Sequence, residues 1–381
     1  MYSRLLEPPK RSFFLFGPRG TGKTAWLRHK LPRALVFDLL QSGDYQRLTA
    51  APQRLGELIP HDFDDWVVLD EIQRVPELLN EVHSLIERKK LRFAMTGSSA
   101  RKLRVSGVNL LAGRARTLRM HPLTAIELGG DFDFGKALRF GQLPFACTTD
   151  DPGAYLRDYV ATYLREEVQQ EGLVRSLPSF SRFIEAASFS QGSVLNMASV
   201  ARECATSAKL AENYFALLED LLLATRIPVF TRRAKRRMAA HPKFYFFDCG
   251  VYRAVRPRGP LDVDSEIDGA ALETLFLANA SAINDAGELG YKIHYWRTGK
   301  DIEVDFVLYG ERGLLAFEIK RAARIRDEDL AGLRAFAADY PVAKTFLLHP
   351  GKERRHQGGV EILPMAQALP GLARILRGEK F

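Results

Sequence analysis

The residues best suited to chemistry form a glycine-rich run near the amino terminus. Residues 17–24 read Gly-Pro-Arg-Gly-Thr-Gly-Lys-Thr and directly follow the apolar run Phe13-Phe14-Leu15-Phe16. A strand, a glycine-rich turn and a helix opened by Lys-Thr can surround phosphates with backbone N–H groups, while the lysine reaches the β- and γ-phosphates and the threonine binds Mg²⁺. The run therefore predicts a nucleoside triphosphate site. Its expected contacts are Gly17, Pro18, Arg19, Gly20, Thr21, Gly22, Lys23 and Thr24.

A pair of acids follows a second apolar run, in the pattern of a Walker B motif. Residues 66–69 read Trp-Val-Val-Leu and lead into Asp70 and Glu71. Behind a phosphate-binding loop, this pattern predicts that Asp70 helps Thr24 to hold Mg²⁺ and that Glu71 polarises the attacking water. The alternative is a strand that merely ends in two solvent-facing acids.

A third apolar run, residues 91–95, ends in the polar segment Thr-Gly-Ser-Ser. Thr96 and Ser98 at this strand tip are candidates for a polar sensor beside the γ-phosphate, and an ordinary strand-to-helix turn remains the alternative. The alternation of strands and helices predicts a parallel α/β sheet that binds its ligand at the carboxyl ends of the strands.

A second set of candidate residues lies near the carboxyl terminus. Residues 301–320 form two alternating runs around a turn between Gly310 and Gly313, which predicts a β-hairpin. If the loop has two residues, Asp305 lies opposite Glu318, with Cβ atoms about 5 Å apart. Strict alternation would put Val304, Phe306 and Leu308 on one face of the first strand and Glu303 and Asp305 on the other.

Two carboxylates this close, followed by Lys320, can hold one divalent metal and an ammonium around a scissile phosphate. Asp305 and the later Glu-Ile-Lys at 318–320 match the PD-(D/E)xK nuclease pattern, and Glu273 resembles the upstream helical glutamate of such nucleases. Asp305, Glu318 and Glu273 are then expected to bind Mg²⁺ or Mn²⁺, while Lys320 orients the nucleophile or offsets charge. A solvent-facing amphipathic hairpin is the alternative.

The middle of the chain predicts a helix-turn-helix. Two helices with a short turn are expected between residues 196 and 223, and strands at both ends of 227–248 would form a wing. The basic run at 232–237 is a candidate for contact with the DNA backbone. A purely connecting role is the alternative for this module.

The length and composition of the chain limit the number of domains, the class of protein and the kind of partner that we expect. The 381 residues predict two or three domains, and no apolar run approaches the ~18–20 residues of a membrane span. Three widely separated cysteines indicate a reducing cytoplasm, with neither a disulfide framework nor a zinc site. The net charge of +9 suits a polyanion partner.

The P-loop, the Asp-Glu Walker B pair and the sensor strand together resemble the AAA-type ATPases. With the segments at 111–114 and 120–127, the chain resembles a prokaryotic AAA-type family that has a winged-helix linker and a C-terminal restriction-endonuclease-like domain. That resemblance implies a γ-phosphate contact from Arg114, in cis or in trans. The implied domains are residues 1–128 (ATPase), 129–190 (helical linker), 191–255 (winged helix) and 256–381 (nuclease-like).

The implied fold class is α/β: an AAA/ASCE-type P-loop NTPase sheet, a helical and winged-helix region, and an α/β restriction-endonuclease-like domain. The implied function is Mg²⁺-dependent ATP binding and hydrolysis, coupled to a nuclease-like domain that acts on DNA in genome defence or DNA processing. The alternative is a nucleotide-gated binding or signalling switch, with a nucleic-acid or protein partner, whose nuclease-like domain binds without cutting.

Overall fold

The chain divides into two units, each with its own sheet. The computed structural model describes residues 2–98, 100–101, 103, 111, 113–164, 176–232, 241–260, 262–299 and 302–379, without the side chains of residues 163, 164 and 264. Residues 6–121 and 220–222 belong to the first unit, and the rest of the described chain belongs to the second. The basic run at 233–237 and the end of the helix expected at 155–170 lie outside the described residues.

The first unit is a parallel α/β sheet, as the sequence predicts. Its elements are β1 (Phe13–Phe16), α1 (Lys23–Lys30), β2 (Leu35–Asp38), α2 (Ser42–Ala50), α3 (Leu55–Leu58), β3 (Trp66–Asp70), α4 (Leu78–Lys89), β4 (Arg92–Gly97) and β5 (Arg116–Arg119). The strand order is β2-β3-β4-β1-β5, and each neighbouring pair is parallel. Strand β4 thus separates the P-loop strand from the Walker B strand.

Burial explains why these strands are continuous apolar runs. Every residue of β1 and of β3 is buried, because helices cover both faces of a parallel sheet. Helix α4 contributes Leu78, Val82 and Leu85, which recur at helical spacing on one face. The carboxyl ends of β1, β3 and β4 lie side by side, so the segments that follow them meet at one edge of the sheet.

The second unit begins with helices. They are α5 (Ala125–Leu128), α6 (Phe134–Phe140), α7 (Pro152–Asp158), a π-helical segment (Tyr159–Leu164), α8 (Leu177–Phe189), α9 (Met197–Glu203) and α10 (Ala208–Asp220). Helices α9 and α10 match the two that the sequence predicts, and the Ser207 hydroxyl accepts the N–H of Leu210 at 3.2 Å as a cap. Antiparallel strands β6 (Ala224–Ile227) and β7 (Lys243–Phe246) follow. Assignment of this region as a winged helix stays a prediction.

The remainder of the second unit is a mixed sheet with flanking helices. Its elements are α11 (Cys249–Val255), α12 (Asp264–Ala286), β8 (Lys292–Arg297), β9 (Glu303–Gly310), β10 (Gly313–Ile319), α13 (Ala331–Asp339), β11 (Lys344–His349), β12 (Arg355–Gln357), β13 (Val360–Pro364) and α14 (Met365–Leu376). The sheet order is β12-β13-β11-β10-β9-β8. Strands β9 and β10 form the expected hairpin with a two-residue loop, since Gly310 pairs with Gly313.

Strand β9 contains an irregularity that the alternating sequence does not reveal. His294 pairs with Val307 and Trp296 pairs with Val304, so β9 holds one more residue than β8 between these pairs. The extra residue falls at positions 305–306, which is the pattern of a β-bulge. A bulge redirects side chains locally, and here it coincides with a candidate site residue.

The bulge corrects the expectation that the apolar residues of β9 share one face. Val304 packs in the core cluster that contains Phe336 of α13. Phe306 instead packs against Phe276 of α12, with ring centroids 5.1 Å apart. One inserted residue inverts the alternation after it, so Val304 and Phe306 contact different helices.

Candidate functional site

In the P-loop of the first unit, the side chain of Lys23 folds back onto the backbone of the loop. Gly22 has φ 91°, a left-handed conformation that glycine adopts without strain, and α1 begins at the next residue. The Lys23 side chain is buried, and its ammonium donates to the carbonyl oxygens of Gly17 at 2.7 Å and Pro18 at 3.3 Å. The first N–H groups of α1 have no intrahelical acceptor, so this end of the helix suits an anion.

The remaining residues of the loop lie where the sequence places them. Thr21 is buried and its hydroxyl donates to the Pro18 carbonyl at 2.8 Å, which closes the turn. Gly20 has φ 80°, and Arg19 is half-buried beside it. Residues 17–22 therefore form the loop between β1 and α1, and Lys23 and Thr24 are the first two residues of the helix.

Asp70 joins the P-loop helix to the neighbouring strand β4. The Thr24 hydroxyl donates to Asp70 Oδ2 at 2.8 Å, and the Thr96 hydroxyl donates to Asp70 Oδ1. Thr96 also accepts the backbone N–H of Glu71 at 3.1 Å. The structure thus brings together Thr24, Asp70, Glu71 and Thr96, which the sequence proposes from three separate segments.

Glu71 lies in an unusual backbone conformation, with φ 61° in the left-handed region. A non-glycine residue rarely adopts this conformation, and such strain is common at functional sites. Its carboxylate accepts a hydrogen bond from the side-chain amide of Gln73, which also donates to the Ser98 hydroxyl at 3.3 Å. Sequence reasoning missed Gln73, whose one signal is its position two residues after Glu71.

Arg114 occupies a different setting from the other candidates in the first unit. Its side chain is 41% exposed and its Nε forms an ion pair with Glu87 of α4. The γ-phosphate contact that the family resemblance implies for Arg114 stays a prediction.

A second cluster of ionisable residues is buried in the second unit. Four carboxylates make up this acid cluster: Glu273, Glu303, Asp305 and Glu318. Asp305 and Glu318 are only 8% and 7% exposed. The β9–β10 ladder ends at the pair Phe306–Phe317, beside the bulge, and the predicted pairing of Asp305 with Glu318 stays a prediction.

A lysine that sequence reasoning missed lies within this cluster. Lys243, on β7, is 3% exposed. Its ammonium forms ion pairs with Glu303, with Asp305 Oδ1 at 3.4 Å and with Glu273 Oε2 at 4.0 Å. Burial lowers the pKa of Lys243, but the charges of Asp305, Glu273 and Glu303 outweigh burial and hold that pKa above its ordinary value.

Glu273 is held by a tyrosine as well as by the lysine. The Tyr245 hydroxyl donates to Glu273 Oε2 at 2.6 Å. Burial, followed by the charge of Asp305, raises the pKa of Glu273 to about 8. This carboxyl group therefore holds a proton more readily than an exposed glutamate.

Glu318 and Lys320 form the other end of the acid cluster. Lys320 Nζ lies 2.7 Å from Glu318 Oε1, whereas the buried Glu318 Oε2 has no hydrogen-bond partner in the described part of the chain. Burial, followed by the charge of Asp305, raises the pKa of Glu318 to about 8.

The divalent metal predicted at Glu273, Asp305 and Glu318 does not fit this arrangement. Asp305 Oδ1 pairs with Lys243, and Asp305 Oδ2 accepts the N–H of Ile319 at 2.8 Å. No group of three or more His, Cys, Asp or Glu side chains within the described residues is disposed to hold a metal ion. The partners of Asp70 are neutral hydroxyls, whereas Asp305 already has a cation, the Lys243 ammonium, where a divalent ion would bring its charge.

Comparisons with known proteins divide the chain into three matched segments. Residues 9–129 match the model of an AAA domain, which supports an AAA-type ATPase family for this part of the chain. Residues 132–263 and 268–368 match two domains of unknown function, DUF8612 and DUF4143. The DUF4143 match does not identify a restriction-endonuclease-like domain.

Searches of characterised proteins add little to these matches. No curated protein matches the chain. One similar solved structure is the crystal structure of protein VC1899 from Vibrio cholerae, at 12% identity and a TM-score of 0.24, covering 96% of this chain and 97% of that one. Among the described residues, no helix combines the length and apolar character that a membrane crossing requires.

Proposed function

We propose that the first unit binds ATP together with Mg²⁺ and hydrolyses the bond between its β- and γ-phosphates. The observation that carries this proposal is the hydrogen-bonded connection from the P-loop helix through Asp70 to Thr96 and Glu71. It supports the proposal because the P-loop, Asp70 and Glu71 lie at the edge of a parallel sheet where such sheets bind ligands. The AAA domain match over residues 9–129 supports the same activity.

The P-loop supplies the phosphate contacts. The N–H groups at the start of a helix carry a partial positive charge that favours phosphate oxygens, and α1 begins directly after the P-loop turn. Lys23 exchanges its hydrogen bonds to the Gly17 and Pro18 carbonyls for contacts with the β- and γ-phosphates.

Thr24 and Asp70 would hold Mg²⁺. A hydroxyl and a carboxylate are the oxygen ligands that this ion prefers, and the two side chains lie within 2.8 Å of one another. The ion neutralises charge on the β- and γ-phosphate oxygens when it is bound. Glu71 accepts a proton from the attacking water or orients it, and its hydrogen bonds to Thr96 and Gln73 fix its position.

An ATP binding and turnover assay on the purified chain tests this proposal. Lys23→Ala should abolish nucleotide binding, because it removes the one lysine of the P-loop. Lys30→Ala is the matched control, since Lys30 lies on the same helix and pairs with Glu7 through a partly exposed ion pair. Wild-type protein without measurable ATP affinity by calorimetry would exclude the proposed site.

We further propose an activity for the second unit, which ATP hydrolysis in the first unit would control. ATP hydrolysis would control a nuclease-like domain that acts on DNA, with Asp305, Glu318 and Lys320 as its site. The alternative is a nucleotide-gated switch whose second unit binds nucleic acid or protein without cutting it. The ion pairs of Lys243 with the acid cluster favour the alternative, because they engage Asp305 without a divalent ion.

Two measurements separate these outputs. Incubation with ATP, DNA and Mg²⁺ or Mn²⁺ should yield cleavage products only if the nuclease hypothesis holds, and Lys320→Ala or Asp305→Ala should then abolish them. Cleavage that persists in Lys320→Ala would place the cutting elsewhere. Stimulation of ATP turnover by DNA would link the two units, and turnover that DNA leaves unchanged would favour a protein partner.

A further inference from the structure

The acid cluster already contains a cation that comes from a different segment of the chain. Its four carboxylates lie within the segment matched to DUF4143, whereas Lys243 lies within the segment matched to DUF8612. Strand β7 carries Lys243 and is itself held by pairing with β6. The middle segment thus supplies the positive charge that lies among the carboxylates of the acid cluster.

The Lys243 ammonium is buried among carboxylates, as a bound metal ion would be. The cation of a surface ion pair is instead exposed to solvent. Lys243 Nζ contacts three carboxylates from two elements, Glu273 on α12 and Glu303 and Asp305 on β9. Its side chain is 3% exposed, and its Nζ also lies 5.7 Å from the centre of the Tyr295 ring. An ammonium that is buried among carboxylates stays in place because moving it would leave them uncompensated.

The neighbouring hydrogen bonds fix both the lysine and its partners. Tyr245 lies two residues after Lys243 on β7 and donates to Glu273. Tyr245 also packs against Phe306, with ring centroids 5.5 Å apart, next to the bulge that redirects Asp305. Lys243 and Tyr245 therefore both contact α12 and β9. Strand β7 positions the Lys243 ammonium between that helix and that strand.

We propose that Lys243 is the built-in cation of the acid cluster and takes the place that a divalent metal would otherwise occupy. Mg²⁺ and Mn²⁺ require several oxygen ligands at short distances around one point, and the ammonium occupies the point shared by Glu273, Glu303 and Asp305. The wild-type second unit therefore takes up no divalent ion at Asp305. Removal of the lysine charge leaves the carboxylates without their cation, and they then close around a divalent ion to form a new site.

Mn²⁺ binding to the nucleotide-free chain, followed by electron paramagnetic resonance, tests this inference. Wild type should show no Asp305-dependent site, so wild type and Asp305→Asn should give the same titration. Lys243→Ala should gain one site at least tenfold tighter than any in wild type. The double variant Lys243→Ala/Asp305→Asn should lose that site, which separates it from Mn²⁺ bound near Thr24.

Lys243→Arg is the matched control, because it keeps a cation at the same position and should gain no site. Wild-type protein that binds Mn²⁺ with an affinity that Asp305→Asn abolishes would overturn the inference, whether or not Lys243→Ala folds. A folded Lys243→Ala that gains no site would overturn it as well. Because these titrations omit nucleotide, their outcome does not depend on ATP hydrolysis in the first unit.

Discussion

The Thr24 hydroxyl donates a hydrogen bond of 2.8 Å to Asp70 Oδ2, across 46 positions of the sequence. This bond joins the first turn of α1 to the carboxyl end of β3, so the P-loop helix and the Walker B strand are held together. The same two oxygens are the ones proposed to bind Mg²⁺. Preorganised ligands of this kind lower the cost of ordering a site when the ion arrives.

Thr24→Val should weaken the dependence of ATP binding and turnover on Mg²⁺. The substitution keeps the shape of the side chain and removes the hydroxyl that donates to Asp70 Oδ2, so we expect turnover to fall by about a hundredfold. Turnover is measured across a Mg²⁺ titration at saturating ATP. Thr24→Ser retains the hydroxyl and should behave like wild type. An unchanged Mg²⁺ dependence in Thr24→Val would show that this hydroxyl is not a ligand.

Glu71→Gln should preserve ATP binding and nearly stop hydrolysis. The amide keeps the hydrogen bond with Gln73 but cannot accept a proton from water, and loss of a general base typically costs about 10²- to 10⁴-fold in rate. Calorimetry measures binding, and phosphate release measures turnover. Glu77→Gln is the control, since Glu77 is an exposed acid six residues along the same segment. A Glu71→Gln variant at wild-type turnover would refute the water-positioning role.

Much of the first unit follows from local sequence, because each of its motifs is contiguous. The apolar runs before the P-loop and before Asp70 predict buried parallel strands, and β1 and β3 are such strands. Helix α2 at Ser42–Ala50 was not expected, since its sequence is mostly polar and buries only Leu48. A helix with one buried residue leaves almost no hydrophobic period to detect.

The acid cluster could be predicted only in part. Spacing alone places Asp305 near Glu318, because a two-residue hairpin loop fixes the register of the strands. Lys243 and Tyr245 come from a strand that precedes Asp305 by about sixty residues, and no local pattern connects them. The bulge at positions 305–306 could not be predicted either, because an alternating run of residues gives no sign of one inserted residue.

Gly17→Ala should destabilise the first unit. A Cβ at this position would lie 2.3 Å from the Met120 carbonyl oxygen, so the end of β1 and the segment after β5 would have to separate. Overpacking of this kind typically costs about 1–3 kcal/mol. Thermal denaturation of the full chain measures the change. Gly43→Ala is the control, because a Cβ there meets nothing within 4 Å, and a melting temperature lowered equally by both would contradict the argument.

Asp248→Ala should destabilise the second unit strongly. The buried Asp248 carboxylate accepts the N–H groups of Gly250 at 2.8 Å, Val251 at 3.0 Å and Gln142 at 2.8 Å, which ties α11 to the segment after α6. Its removal leaves buried donors without partners, at a cost of about 3–5 kcal/mol.

Asp133→Ala provides the matched comparison for this loss. Asp133 also accepts a backbone N–H, that of Lys136 at 2.9 Å, but it does so as an exposed helix cap. Loss of such a cap costs about 1 kcal/mol. Urea denaturation followed by tryptophan fluorescence and circular dichroism compares the two variants. Equal losses in Asp248→Ala and Asp133→Ala would mean that burial of the Asp248 carboxylate adds nothing.

Cys147 should resist alkylation in the native protein until the pH is strongly alkaline. Burial, followed by the charge of Asp248, raises the pKa of Cys147 from 9.0 to about 12. Only the thiolate reacts, so native Cys147 at pH 9 should react roughly 500-fold more slowly than an ordinary thiol. Iodoacetamide labelling across pH 7–11, with peptide mass spectrometry to separate the three cysteines, measures the rate.

The pH dependence of the labelling rate distinguishes a thiol with a raised pKa from an ordinary thiol. A raised thiol pKa keeps the proton on sulfur as the pH increases, so the native labelling rate should still be climbing tenfold per pH unit at pH 10–11. The same chain in urea is the control and should level off just above pH 9, where an exposed thiol is fully ionised. A native rate that levels off with the unfolded one would show that neither burial nor Asp248 perturbs this thiol.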